Sequence, residues 1–142
     1  MGVVETKVKD SNISSTAKSC FPSHWLSVHN YSVGPVARIF LGWDPTIFGN
    51  SILFSSDQLI VSEFLPLDGS ASFVLSVVYG HNRAVDRRQL WDDMRTIANS
   101  AGTKPWVQMG DFNTVRAASE RLVMLDLSHI VHLSHLSLVN KI

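Results

Sequence analysis

The sequence predicts an α/β protein, and a strand–helix–strand unit in its second half is the main reason. Residues 72–79 form a nearly continuous run of β-branched and aromatic residues, which suits a strand buried on both faces. A segment with helical spacing follows, and residues 106–110 are a second apolar run. A crossover of this kind normally makes its two strands parallel.

The helix of this unit has a clear apolar stripe and a clear end. Gly102 and Pro105 lie just past it, where a stop is expected. The polar face carries Arg87, Arg88, Asp92, Asp93 and Arg95. The apolar positions at helical spacing are Leu90, Trp91, Met94, Ile97, Ala98 and Ala101.

The first half of the chain predicts mainly strands. Residues 1–4 are a short apolar run that ends on Glu5. Residues 10–20 are rich in Ser and Asn without a clear period, so a loop or a short irregular helix is expected. Asp68-Gly69 is a strong turn signal. The other predicted strands are 36–42, 52–55 and 58–64.

Composition limits the classes of function. The chain has 142 residues, which suits one domain, and its 45% hydrophobic content is typical of a globular protein. Its formal net charge is zero, so any contact with nucleic acid requires a local basic patch. The single cysteine, Cys20, excludes an internal disulfide and favours a reducing, intracellular compartment. No apolar run reaches the ~18 residues of a membrane span, so we expect no membrane partner.

Polar side chains follow both strands of the crossover unit. Tyr79-Gly80-His81-Asn82 ends the first, and Gly110-Asp111-Phe112-Asn113 ends the second. Because parallel strands end at the same edge of a sheet, both loops should open at one crevice. If the strand of residues 1–4 runs the same way, Glu5 joins them.

Carboxylates and carboxamides at such a crevice are suitable ligands for Mg²⁺, which binds few carboxylates and keeps waters for a substrate phosphate. A carboxylate there could take a proton from water, and an Asn could hold the phosphate. The alternative is structural: Asp111 and Asn113 form an Asx-type turn, and Glu5 is a solvated surface acid. Spacing alone leaves both interpretations open.

Three segments together resemble ordered motifs of the endonuclease/exonuclease/phosphatase superfamily: Glu5-Thr6-Lys7, Val78 to Asn82, and Gly110 to Asn113. The connecting sequence resembles the apurinic-like endonuclease domain of plant non-long-terminal-repeat (LINE-type) retrotransposon reverse transcriptases. The resemblance covers roughly residues 1–121. The connecting segments that carry it are Asn30 to Ser32, Arg38 to Pro45, Arg88 to Trp91, Lys104 to Trp106, Arg116 and Ser119 to Arg121.

The resemblance implies a fragment of a two-sheet α/β sandwich that cleaves phosphate esters with Mg²⁺ or Mn²⁺. Glu5 would be the metal ligand, and Tyr79 and Asn82 would contact phosphate. Asp111 would orient or deprotonate the attacking water or protonate the leaving group, and Asn113 would hold water and phosphate. The implied reaction is nicking of target DNA for reverse transcription, in the nucleus if the parent element's role is retained.

The sequence also departs from the family. The first-strand Asn, the late Asp and the final Ser-Asp-His are absent, so we expect a domain truncated at both ends and inactive alone. Residues 1–121 would be the partial domain and 122–142 a divergent tail, whose His129, His132 and His135 we interpret as compositional accident. The alternatives are a decayed, non-enzymatic fragment, or a phosphatase or phosphodiesterase of the same superfamily. The oligomeric state is not indicated.

Other polar and aromatic residues receive simpler interpretations. His81 is expected at the rim of the site, since this position varies in the family. Trp91, on the apolar helix face, and Trp106, at the start of a strand, are expected in the core. Trp43, at a Gly-Trp-Asp-Pro turn, is the tryptophan considered for a DNA surface.

Overall fold

The computed structural model describes residues 1–31 and 35–114. Within them, two β-sheets pack against each other, and one helix covers the outer face of each sheet. The first sheet is antiparallel, in the order β1-β3-β2, and the second is mixed, in the order β4-β5-β6-β7. The α/β class predicted from the sequence is confirmed.

The elements follow one another closely along the chain. The first sheet contains β1 (Gly2–Val8), β2 (Leu26–His29) and β3 (Ala37–Trp43). The second contains β4 (Phe48–Ser55), β5 (Leu59–Pro66), β6 (Phe73–Tyr79) and β7 (Trp106–Asp111). The helices are α1 (Ile13–Cys20) and α2 (Arg88–Ala101).

Alternation along the central strands builds three apolar layers. In β3, Ile39 and Leu41 face the second sheet, whereas Ala37 and Phe40 face α1. In β6 the side chains divide in the same way between the first sheet and α2. Strands buried on both faces must be apolar at nearly every position, which is why these segments were recognisable in the sequence.

The predicted crossover is confirmed. Strands β6 and β7 pair in parallel, with Tyr79 opposite Asp111, and α2 connects them. Gly102, with φ of 64°, follows the last helical residue, as expected for a residue that ends a helix. One detail was wrong: Trp91, expected in the core, is 37% exposed, and the buried residues of this helix are Leu90 and Ile97.

The N-terminal region differs from the prediction in three ways. β1 does not stop at Glu5 but continues to Val8, and it belongs to the other sheet, antiparallel to β3. Residues 10–20 include a regular helix, α1, where a loop or irregular helix was expected. β2 was not predicted, because its four residues are half-buried at most and too few to show a period.

Two further predictions concern membrane spans and the end of the chain. No helix among the described residues is long and apolar enough to cross a membrane. Residues 122–142, predicted to be a divergent tail, lie outside the described residues.

Candidate functional site

The carboxyl ends of β6 and β7 bring two of the predicted motifs together. The Gly80 N–H donates to the Asp111 carbonyl at 2.8 Å, which extends the pairing of Tyr79 with Asp111. The Asn113 amide, Nδ2, donates to the Gly80 carbonyl at 2.6 Å. Tyr79, Asp111 and Asn113 are therefore neighbours at one sheet edge, as the crossover requires.

The glycines of the two motifs have steric roles. Gly110 has φ of 129°, and a Cβ there would fall on the Val78 carbonyl oxygen. A Cβ on Gly80 would lie 2.6 Å from the Phe112 carbonyl oxygen. Close backbone approach at this edge therefore demands glycine at both positions.

The loop after β7 is an Asx-type turn. Asp111 Oδ1 accepts the Asn113 N–H at 2.8 Å, and Asn113 has φ of 49°, a region that Asn tolerates better than most residues. This geometry matches the structural interpretation, in which Asp111 and Asn113 form a turn. The turn occupies one carboxylate oxygen, and within the described residues Oδ2 of the exposed Asp111 has no partner.

Glu5 lies on β1, which runs beside β6. A Cβ on Gly2 would contact Val77, whereas Lys7 borders the same cavity as Tyr79. β1 therefore runs from Val77 towards the carboxyl end of β6. The Glu5 carboxylate is exposed and lies 3.6 Å from the Lys7 ammonium, so it is a solvated surface acid at this edge.

Backbone strain accompanies two of the predicted site residues, Glu5 and Asn113, and also Lys7. Glu5 and Lys7 have φ of 62° and 48°, and the β1–β3 register shifts between Val4 and Val8. With Asn113 these are the non-glycine residues of positive φ among those described. Such conformations cost on the order of 1–3 kcal/mol each and concentrate at functional sites.

A cavity of about 350 Å³ lies beside this edge. Tyr79, 4% exposed, lines it, as do Gly80 and Asn82. Asn82 is exposed, and its carbonyl accepts from the Arg87 guanidinium at 2.8 Å. The other lining residues are Lys7, Arg38, His81, Arg83 and Asp86.

His81 is more constrained than a rim residue. Its side chain is 22% exposed, its Nε2 lies 2.7 Å from Asp57 Oδ2, and its Nδ1 lies 3.2 Å from Arg38 Nη1. Since a guanidinium can only donate, Nδ1 accepts and Nε2–H donates to Asp57. The His81 N–H also donates to Gln58 Oε1 at 2.8 Å.

Asn30, only 1% exposed, completes a closed chain of hydrogen bonds, which we call the polar ring: Asn30, Arg38, His81 and Asp57. Its Oδ1 accepts the Arg38 N–H at 2.9 Å and its Nδ2 donates to the Asp57 carbonyl at 3.0 Å. The ring joins the two sheets. No local sequence signal marks it, because its members are distant in the chain.

The tryptophans divide between core and surface differently from expectation. Trp43 is half-buried and packs edge-on against Phe64, with ring centroids 6.3 Å apart, rather than standing on an open surface. Trp106 packs on the α2 side of the second sheet and donates to Ser76 Oγ at 2.8 Å, as a core residue would. Trp91 stacks on Phe112 in nearly parallel planes.

Carboxylates are sparse at the site. Among residues 1–31 and 35–114, no group of three His, Cys, Asp or Glu side chains is placed to hold a metal ion. Glu5 and Asp111 are the predicted site residues that carry carboxylates. The described side chains thus offer at most a metal site completed by water or a substrate.

Two solved structures with a similar fold are an endonuclease domain and another catalytic domain. One is the endonuclease domain of TRAS1, a telomere-specific non-LTR retrotransposon: TM-score 0.59, 11% identity, covering 87% of this chain and 65% of that one. Another is the human Nocturnin catalytic domain with bound sulfate: TM-score 0.54, 11% identity, covering 89% and 55%. No protein-family model and no curated protein sequence matches the chain.

These likenesses define the architecture. The chain has the α/β sandwich fold of the endonuclease/exonuclease/phosphatase type, as the sequence resemblance implied. It spans less than two thirds of the length of either solved domain.

Proposed function

We propose that the chain is part of a metal-dependent phosphodiesterase domain of the retrotransposon endonuclease type, which acts on DNA and is inactive or nearly so by itself. The observation that carries the proposal is the Asp111–Asn113 turn, held by hydrogen bonds against Tyr79 and Gly80 at the edge of the second sheet. The fold shared with a retrotransposon endonuclease domain supports it.

Each residue has a role in hydrolysis that its position permits. Asp111 Oδ2 would take a proton from a water molecule while the oxygen of that water attacks phosphorus. The bond from phosphorus to the 3′ oxygen breaks, and that oxygen takes up a proton to give a 3′-hydroxyl. Asn113 Oδ1 would orient the water, and Tyr79 and Asn82 would contact the phosphate from the cavity wall.

Glu5 fits the role of metal ligand in its chemistry. Mg²⁺ is commonly held by one or two carboxylates together with waters and substrate phosphates, and the exposed Glu5 carboxylate can supply one such contact. A divalent ion bound there would polarise a phosphoryl oxygen. Glu5 must first leave its surface ion pair with Lys7, which costs little because exposed pairs are weak.

Low activity follows from the exposure of the described site. Electrostatic stabilisation of the transition state is strongest in a site that excludes water. Here Asp111 and Glu5 both lie on the surface, and the structure places no third metal-binding side chain beside them in the described residues.

Nicking of supercoiled plasmid by the full 142-residue chain tests the proposal, with Mg²⁺ or Mn²⁺ and with EDTA. We expect at most a trace of metal-dependent nicking. Asp111→Ala should abolish that trace, whereas the matched control Asp10→Ala, at an exposed acid shortly after β1, should keep it. Robust nicking lost in Asp111→Ala would contradict the low activity of the chain alone. Nicking that survives Asp111→Ala would contradict the role of Asp111.

A non-enzymatic fragment is the second candidate, and the surface of β7 favours it. Val107 and Met109 are 49% and 40% exposed, and β7 pairs only with β6 among the described residues. Exposed apolar strand edges promote association with other chains. A complete absence of metal-dependent nicking in every arm of the plasmid assay would agree with this candidate.

A further inference from the structure

The cavity beside Tyr79 carries a concentration of positive charge in a neutral chain. Lys7, Arg38 and Arg83 line it, against one acid, Asp86. Within the part of the chain that the structure describes, the ion pairs of Lys7 and Arg83 are long and exposed, at 3.6 Å with Glu5 and 3.7 Å with Asp86. Such pairs open easily because solvent screens them. The cavity is thus the local basic patch that a neutral protein would need to contact nucleic acid.

Arg38 is the basic residue of the cavity with the fewest neutralising contacts. It is half-buried, and no carboxylate among the described residues lies within ion-pair distance of it. Its side-chain contact there is Nη1 with His81 Nδ1, which uses one of the five guanidinium N–H donors. A half-buried cation whose remaining donors lack partners among the described residues has the chemistry to bind an oxyanion.

The polar ring fixes where Arg38 can reach. His81 is held at one nitrogen by Asp57, and it presents the other to the guanidinium. The Arg38 backbone is held by Asn30. Both ends of this long side chain are thereby restrained, so that less rotamer entropy is lost when it binds a ligand.

We propose that Arg38, positioned by His81 and Asp57, forms with Lys7 and Arg83 a binding subsite for a phosphodiester phosphate of a nucleic-acid strand. The planar guanidinium fork matches two phosphate oxygens, and the flanking cations add charge without fixed geometry. The subsite shares its cavity with Tyr79 and Asn82, so it would hold a phosphate of the strand that reaches Asp111. It rests on the proposed function and adds to it the residues that hold the strand.

Binding of a fluorescent 12-base-pair DNA duplex to the full chain, measured by anisotropy in EDTA, tests the subsite without requiring catalysis. Arg38→Gln removes the charge, and Arg95→Gln is the matched control, an exposed arginine on α2. We expect Arg38→Gln to weaken binding about fivefold and to lower the slope of log K against log salt by about 0.9, the value for one lost phosphate contact. Arg95→Gln should change affinity less than twofold.

His81 is a positioning residue, and its variants separate that role from a structural one. His81→Gln keeps a group that can accept from Arg38, whereas His81→Leu does not. We expect His81→Leu to weaken DNA binding as Arg38→Gln does, His81→Gln to restore most of it, and the double variant His81→Leu/Arg38→Gln to be no weaker than Arg38→Gln alone. Thermal unfolding of each variant shows that it is folded.

Two outcomes would overturn the proposal: no DNA binding by the wild type at low salt, or equal affinities for Arg38→Gln and Arg95→Gln. Because no arm of this experiment involves cleavage, plasmid nicking can fail while the subsite stands, and the reverse is equally distinguishable.

Discussion

The two ends of the sandwich are built from the same strands by opposite means. β3 begins next to Arg38 in the polar ring and ends at Trp43, and β6 begins at Phe73 and ends at Tyr79. At the aromatic end, Trp43, Phe48, Phe64 and Phe73 surround a second cavity, of about 340 Å³. At the polar end, two hydrogen bonds of the polar ring connect the sheets, one from Asn30 Nδ2 to the Asp57 carbonyl and one from Arg38 Nη1 to His81 Nδ1.

The difference lies in how each end depends on geometry. Aromatic rings at the aromatic end meet edge-on or stacked, with centroids 5.4–6.3 Å apart, and such pairs tolerate shifts of position. Hydrogen bonds weaken steeply with angle, and an unmet buried donor costs more than a formed bond gains. The aromatic end therefore suits bulk stability, and the polar end suits the exact placement of a few side chains.

The largest effect is expected at the aromatic end. Phe64→Ala removes the ring that contacts Trp43, Phe48 and Phe73 and enlarges a space that is already a cavity. We expect a loss of about 3–5 kcal/mol in the free energy of unfolding, measured with urea. Leu67→Ala, at a side chain 58% exposed, is the control and should change stability by less than about 0.5 kcal/mol. Equal losses would show that the aromatic end is not a packed core.

A smaller but still large effect is expected at the polar end. Asn30→Ala removes a side chain that accepts from two backbone N–H groups and donates to two carbonyls. We expect a loss of about 2–3 kcal/mol, since the buried groups left behind lack partners. Asn99→Ala, an exposed residue of α2, should be neutral or slightly stabilising. If Asn30→Ala lowered the free energy of unfolding no more than Asn99→Ala does, the proposed difference between the two ends would be contradicted.

The smallest effect concerns an exposed ion pair near the aromatic end. Lys104 Nζ donates to Glu63 Oε1 at 2.6 Å, and this hydrogen bond is the main reason that the pKa of Glu63 lies below its ordinary value of 4.5. A lowered folded pKa contributes stability above the unfolded pKa, and that contribution disappears as pH falls through the folded value. Lys104→Gln should therefore raise the Glu63 pKa and destabilise the protein slightly at pH 7.

An NMR pH titration of the Glu63 carboxyl measures this directly. The stability difference between wild type and Lys104→Gln should shrink as the pH falls through the lowered Glu63 pKa of the folded wild type. Lys18→Gln, an exposed lysine on α1, should leave the Glu63 titration unchanged. A stability difference that grows on acidification would contradict the assignment.

Periodicity predicted the elements that bury two faces. β3, β5, β6 and α2 all fell close to their expected positions, because burial on both sides of a strand or one side of a helix leaves a pattern in the residues themselves. The sheet to which β1 belongs could not be predicted, since pairing partners are chosen by contacts far away in the chain. The exposure of Trp91 escaped prediction for a related reason: it depends on how α2 is rotated over the sheet.

The site was predicted in part. The adjacency of Tyr79 and Asp111 followed from the crossover and the register of parallel strands. The chemical roles of all the predicted site residues stay predictions, because a motif specifies residue types but not where their side chains meet; these residues are Glu5, Tyr79, Asn82, Asp111 and Asn113. Arg38, Asp57 and His81 were not recognised as a unit, since they lie far apart in the chain and the Arg38–His81 bond crosses between the two sheets.

The polar ring also affects the order in which the protein folds. Its bonds join residues separated by 8, 27, 24 and 43 positions, and two of them bridge between sheets. The ring therefore closes only after the sheets have met and adopted their final register, whereas aromatic contacts form while the interface is still loose. We expect the interactions of Asn30 to be largely absent from the folding transition state, so that they retard unfolding without hastening folding. The polar end, which positions Arg38, would then be assembled last, and its hydrogen bonds would slow the unfolding of the native state.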